Sequence, residues 1–260
     1  MEAIPQNLLK SGAVEITKIM KSISGGNVLD VASGDGDFIL MLIDALKDYE
    51  SFTGIDSNKE EIAKAKKNLA GKCVKIHLMN AEKLKFNNNT FDFVSIANSL
   101  HHLENMNEVL AEMKRVLKPG GYLIIQEMFC DGNQTEAQKT DINLNTLGAE
   151  IDNILGIYHQ KTFTKKTILG IIEELNLQEF KVYESSRYVK CLFCSNNQQC
   201  EDPLNEDLIN FAIKELEKDI YKINESSEYE RLMERKEIIK QNILKYGSAP
   251  ASILFCIGCK

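Results

Sequence analysis

The stretch Asn27-Val28-Leu29-Asp30-Val31-Ala32-Ser33-Gly34-Asp35-Gly36-Asp37 constrains this chain more than any other. A short apolar run broken by one acid reads as a strand, two closely spaced glycines as a turn, and Phe38 to Leu46 as a nearly all-apolar helix. The alternation continues with strand Phe52 to Asp56, helix Lys59 to Leu69, strands Lys75 to Met79 and Phe91 to Ala97, and helix Asn105 to Leu117. Lys118-Pro119-Gly120-Gly121 reads as a helix stop and turn, and strand Tyr122 to Met128 follows. Strands alternating with helices predict an α/β fold: a doubly wound, mostly parallel sheet with helices on both faces.

On either side the pattern changes. Asn7 to Ser22 predicts an N-terminal helix, and Glu136 to Tyr158 a more polar helix placed as a lid. Helix Lys165 to Leu175 and strands Phe180 to Tyr188 and Ser252 to Cys259 complete the sheet. The last two strands are separated by about sixty residues, far beyond an ordinary connection. Apolar residues at helical spacing from Leu208 to Ile243 predict an amphipathic helical hairpin over Asn205 to Tyr246. The expected organisation is an N-terminal helix (1–26), a sheet domain (27–189) with its lid (136–158), a helical insertion (190–248) and a final strand (249–260).

The glycine turn sits where an open parallel sheet binds ligands, beyond the carboxyl end of its first strand. A dinucleotide fingerprint needs a small residue three positions after Gly36, where Ile39 stands, and Asp35 and Asp37 would repel a pyrophosphate. A cationic nucleoside suits the loop better. S-adenosylmethionine, with an ammonium, a sulfonium and no phosphate, is such a ligand, and Asp56 is spaced to accept ribose hydroxyls.

Val28 to Gly36 resembles the first motif of the Rossmann-like (class I) S-adenosylmethionine-dependent methyltransferases. Gly54-Ile55-Asp56-Ser57, Asn80-Ala81-Glu82-Lys83-Leu84, Phe91 to Leu103 and Arg115 to Gly121 resemble the later motifs, in order. The similarity is to the small-molecule branch that includes the ubiquinone/menaquinone methyltransferases. It implies a seven-stranded sheet with the last strand antiparallel, and methyl transfer to a small-molecule acceptor by in-line displacement. It also implies that Asp30, Ala32, Ser33, Gly34 and Gly36 hold the methionine part, Asp56 and Ser57 the ribose, and Asn80, Ala81 and Glu82 the adenine. Asn98 and Ser99 would lie near the methyl group.

His102, next to His101, and Glu127 at the end of the fifth strand are candidate catalytic groups by position, with Asp131 and His159 as further candidates. The 38 acidic against 31 basic residues, a formal charge of −7, speak against a nucleic-acid partner. No basic-flanked apolar leader and no spanning run stands out, so a soluble, unexported protein without membrane association is expected. Seven cysteines in that setting read as reduced thiols of the cytoplasm. Cys191 with Cys194, Cys256 with Cys259, and Cys200 invite a metal. Cys256 and Cys259 fall in a predicted strand at an odd spacing, on opposite faces, so no metal is expected. The rival functions are a non-catalytic S-adenosylmethionine-binding regulator or scaffold and a nucleotide-dependent oxidoreductase, the latter opposed by the acidic loop. The helical insertion is a candidate homodimer arm.

Overall fold

A computed structural model describes residues 12–185, 202–218 and 220–260. Its elements in chain order are α1 Gly12–Met20, β1 Asn27–Val31, α2 Asp37–Ala45, β2 Ser51–Asp56, α3 Lys59–Asn68, β3 Val74–Leu78 and β4 Phe91–Ala97. There follow α4 Met106–Val116, β5 Leu117–Met128, α5 Glu136–Ile154, α6 Lys165–Glu173, β6 Gln178–Ser185, α7 Glu206–Glu217, α8 Tyr229–Tyr246 and β7 Ile253–Cys259. The expected positions 7–11 and 186–188, the polar run at 195–199, and Cys191, Cys194 and Cys200 lie outside the described residues.

The strands form one seven-stranded mixed sheet, ordered β3-β2-β1-β4-β5-β7-β6. Neighbours from β3 through β5 pair in parallel, and β7 runs antiparallel to both β5 and β6. Strand side chains alternate between two buried clusters, as a period of two requires. Leu29, Val31, Val94, Ile96, Leu123 and Ile125 face α4 and α6, while Val28, Phe52, Phe93, Ile124 and Phe255 face α1 and α2. Phe93 is fully buried in the second cluster, a site where truncation to Ala costs about 3–5 kcal/mol.

The fifth strand starts earlier than expected. Leu117 pairs with Phe91 as soon as α4 ends, the register shifts before Phe93 meets Tyr122, and the turn residues are carried inside the strand. The Gly120 amide donates to the Lys260 carbonyl and the Lys260 amide to the Gly121 carbonyl, so the turn is pinned by Lys260. Sequence alone gave Pro119 and the two glycines a stopping role and no partner.

The polar helix and the hairpin pack as one body. Leu147 and Ile151 of α5 share a buried cluster with Ala212 and Leu216 of α7 and Leu232, Ile239 and Ile243 of α8. A charged clasp reinforces it: Glu150 on α5 takes Lys161 at 3.0 Å and Arg235 and Arg231 of α8 at 2.7 and 3.1 Å. Desolvation opposes ionisation there, yet the three cations hold the Glu150 pKa down at about 2. The helix α5 starts on a full capping box, Thr135 with Gln138, and Gln138 reaches on to the Pro250 carbonyl and the Ser252 hydroxyl ahead of β7. The start of α5 is thereby fixed to the sheet.

Candidate functional site

Beyond the carboxyl ends of β1 to β4 the loops enclose a cleft of about 300 Å³. Ala32 enters from the loop after β1, Asp56 and Ser57 from the end of β2, Met79 to Glu82 from after β3, and His102 to Glu104 from after β4. Ile157 and Tyr158, just past α5, close one side.

The loop after β1 turns through left-handed torsions at Ala32, Gly34 and Gly36, with φ of 53°, 50° and 90°. A Cβ on Gly36 would sit 2.7 Å from a terminal methyl of Leu69, and the φ of 90° disfavours any side chain there. A Cβ on Gly34 would meet no protein atom within 4 Å, so that surface of the loop is open to a ligand. The Gly34 amide donates to Oδ2 of Asp56 at 2.9 Å and the Asn58 amide to Oδ1 at 2.8 Å. A carboxylate has about four acceptor positions, which leaves capacity for two further donors.

Asp30 stands behind this loop. It is buried and accepts from the Ser95 hydroxyl at 2.6 Å. Desolvation, with the nearby Asp56 charge adding to it, pushes its pKa up to about 7 despite that hydrogen bond. Desolvation and Asp35 likewise raise the Asp37 pKa. The site thus concentrates carboxyls that a cation would relieve. On the adenine side implied by the resemblance, Asn80 accepts from the Glu82 amide at 2.8 Å, and Asn105 donates to the Glu82 carboxylate at 3.0 Å. Ser99 donates to the Ala97 carbonyl at 2.7 Å and lies 3.4 Å from the Ala32 carbonyl, joining the loops after β4 and β1. Asn98 turns the chain there with φ 46°.

A histidine cluster borders the cleft. The rings of His101 and His102 have centroids 4.3 Å apart, and His159 stacks against them at 5.3 and 4.0 Å. Glu127 has no exposed surface. Its Oε2 accepts from the Leu100 amide at 2.8 Å, and its Oε1 lies 2.9 Å from Nδ1 of His101. Asp152, near the end of α5, lies 2.7 Å from Nδ1 of His159. The Gln160 amide donates to the His101 carbonyl, which docks the segment after α5 onto the loop after β4. Desolvation, then the neighbouring His101 and His159 rings, push the His102 pKa down to about 3, so this ring is neutral at pH 7.

The structure therefore brings Ala32, Asp56, Ser57, Asn80, Ala81, Glu82 and His102 to one cleft. Ser33, Gly34 and Gly36 form the adjoining loop with Asp30, Asn98 and Ser99 behind it, and Glu127 does not line the cleft but holds Leu100 and His101, next to His102. Asp131 is exposed and accepts from the Lys165 amide at the start of α6. The sequence reading missed Leu103, Glu104, Ile157 and Tyr158 on the wall and Asp152 behind His159. Asp152, Ile157 and Tyr158 fall within the expected lid segment, and Leu103 ends the motif stretch Phe91 to Leu103. Cys256 is buried in β7, and Cys259 ends the same strand on the opposite face.

Residues 29–125 match a family model described as a methyltransferase domain. The demethylmenaquinone methyltransferase of Shouchella clausii is 36% identical over 121 residues, 45% of this chain and 52% of that protein. The chain thus spans about half the length of the curated relatives it matches. Among solved structures, phosphoethanolamine N-methyltransferase 2 of Haemonchus contortus, in complex with phosphomonomethylethanolamine and S-adenosylhomocysteine, superposes with a TM-score of 0.54 at 17% identity. That match covers 95% of this chain and 52% of that one. The cyclase SpnF superposes at 0.56 and 16% identity, covering 94% and 78%. The structural neighbours share the fold, and the fold alone does not select a reaction.

Proposed function

Because residues 29–125 match a family model described as a methyltransferase domain, we propose that the protein transfers the methyl group of S-adenosylmethionine to a small-molecule acceptor. The observation that carries this reading is the chemistry of the cleft. Asp56, Glu82 and Glu104 line it, and no lysine or arginine does among the described residues. A phosphate-bearing dinucleotide would find no counter-charge there, whereas a cationic nucleoside would find several.

The residues fit such a cofactor. The free acceptor capacity of Asp56 suits ribose hydroxyls, the open surface at Gly34 leaves room for the ligand to approach the backbone, and Asn80 to Glu82 offer polar groups for adenine. Bound S-adenosylmethionine supplies an electrophilic methyl carbon on a sulfonium. The chain's own contribution is to hold the two partners in line and to keep water away. His102, Leu103, Ile157 and Tyr158 form a wall that serves both ends. A ring with a pKa of about 3 is a weak base at neutral pH. His102 therefore acts in this reading by contact with the acceptor, and Glu127 is a positioning residue that orients His101.

The relatives' names make precursors of menaquinone and ubiquinone the first acceptors to try, ahead of amines and thiols. The domain divisions stand as an expectation in which the sheet unit carries the cofactor and the α5–α7–α8 body shapes the acceptor side. Free thiols at Cys73, Cys130, Cys256 and Cys259 suit a reducing cytoplasm. No helix among the described residues is long and apolar enough to cross a membrane. The exposed Ile238 and Leu244 of α8 are the surface through which the insertion would pair two copies. The direct test is transfer of isotopically labelled methyl from S-adenosylmethionine to a panel of phenols, amines and thiols. Labelled product supports the reading. Cofactor binding without turnover on any acceptor would favour a regulatory role.

A further inference from the structure

We propose that His101, His102 and His159 bind a divalent transition-metal ion of the zinc type beside the cleft, with a coordination position left open for an oxygen or sulfur of the acceptor. One ring nitrogen from each imidazole lies within 4.8 Å of the other two. Tetrahedral zinc with bonds of about 2.0–2.1 Å holds its nitrogen ligands roughly 3.3 Å apart, so the rings have to close by about 1.5 Å at most.

Two of the rings are already held from behind. Nδ1 of His101 lies 2.9 Å from the Glu127 carboxyl, and Nδ1 of His159 lies 2.7 Å from that of Asp152. A carboxyl on one ring nitrogen is the arrangement that fixes the tautomer of a ligating histidine and leaves the other nitrogen free for a metal. Nε2 of His159 is buried without a hydrogen-bond partner, on a residue only 8% exposed. Simple packing explains the stacked rings; it leaves that bare nitrogen unexplained. Imidazole donors suit zinc, iron, nickel and copper, and three histidines with an open position is the donor set of a catalytic zinc site.

His102 shares the cleft wall with Asp56. Metal binding stands by itself; its use in methyl transfer rests on the function proposed above. A hydroxyl or thiol coordinated there loses its proton to solvent. Its lone pair then bonds to the methyl carbon as the carbon–sulfur bond of the sulfonium breaks, and that electron pair stays on the departing thioether.

The test is titration of chelator-treated, full-length protein with Co²⁺, followed by visible absorption, and competition with Zn²⁺. The expected result is one equivalent of Co²⁺ with the weak visible bands of a nitrogen site and no near-UV thiolate charge transfer. His102→Ala and His159→Ala should each weaken binding at least tenfold, and Asp152→Asn should weaken it less. His102 lies on the cleft wall and outside the buried core clusters, so His102→Ala tests the site, and circular dichroism confirms its fold. No stoichiometric uptake by folded wild type, a thiolate spectrum, or unchanged affinity in folded His102→Ala would overturn the site. Calorimetry with S-adenosylhomocysteine on the same samples separates the two readings. Cofactor binding without Co²⁺ uptake removes the metal and keeps the proposed function, and the opposite result does the reverse.

Discussion

The Gly34 amide and the Asp56 carboxylate, 22 positions apart, meet in a 2.9 Å hydrogen bond that ties the loop after β1 to the end of β2. The same carboxylate faces the cleft. One side chain therefore both sets the loop and presents acceptor atoms to a ligand. Asp56→Ala should lower cofactor affinity by at least tenfold, with a small loss of stability from the freed Gly34 and Asn58 amides. Asp56→Asn keeps part of the loop bond and should lose less. Calorimetric titration of both variants, beside thermal melts, checks the order.

Gly34 separates ligand space from protein space. Its Cβ position is empty of protein within 4 Å, so Gly34→Ala meets no steric clash on folding. The left-handed torsion, φ 50°, costs an alanine about 1–2 kcal/mol. The variant should melt a few degrees lower and bind cofactor far more weakly. A folded Gly34→Ala with wild-type affinity would show that the ligand does not approach this loop.

Asp30 predicts a pH dependence. Its folded pKa of about 7 lies above the unfolded value of 3.8, so the neutral acid is favoured in the fold. The stability this confers is full below about pH 4 and is lost as pH rises through 7. A cationic ligand favours the carboxylate, so binding should expel a proton below pH 7. Affinity should rise from pH 5 to about 7.5 and level off above. Asp30→Asn should be more stable at pH 8 by roughly 1–3 kcal/mol and should lose that pH dependence. Calorimetry in buffers of different ionisation enthalpy reads the proton directly.

Glu150 predicts the opposite slope. Its folded pKa of about 2 lies below the unfolded 4.5, so its stabilisation is complete above 4.5 and is lost as pH falls toward 2. Arg231 and Lys161 are exposed partners, and screening reduces the expected effect of Glu150→Gln to roughly 1 kcal/mol. Hydrogen exchange should show that loss concentrated in α5, α7 and α8, with the sheet unchanged.

What could be read from sequence was local. Val28 to Val31 alternate between faces, Gly34 and Gly36 need left-handed torsions, and Asp56 ends a strand. Each is a short-range constraint that a sequence displays. The departures are long-range. Leu117 joins the sheet at once because Phe91 waits beside it. Leu147 shares a buried cluster with Ile243 through a helix pairing that no spacing encodes. Asp152 reaches His159 from near the end of α5, and backbone bonds from Gln160 to His101 and from Cys130 to Phe163 hold that segment against the ends of β4 and β5. His159 was visible as a histidine after a helix; its carboxyl partner and its two neighbours were not.

The most direct measurement of the central claim is calorimetric titration of the wild-type chain with S-adenosylmethionine and S-adenosylhomocysteine, with Asp56→Ala alongside. Micromolar, one-to-one binding of both ligands, lost or strongly weakened in Asp56→Ala, is the result predicted here. A folded wild type that binds neither ligand would contradict the cofactor assignment and the methyl transfer built on it.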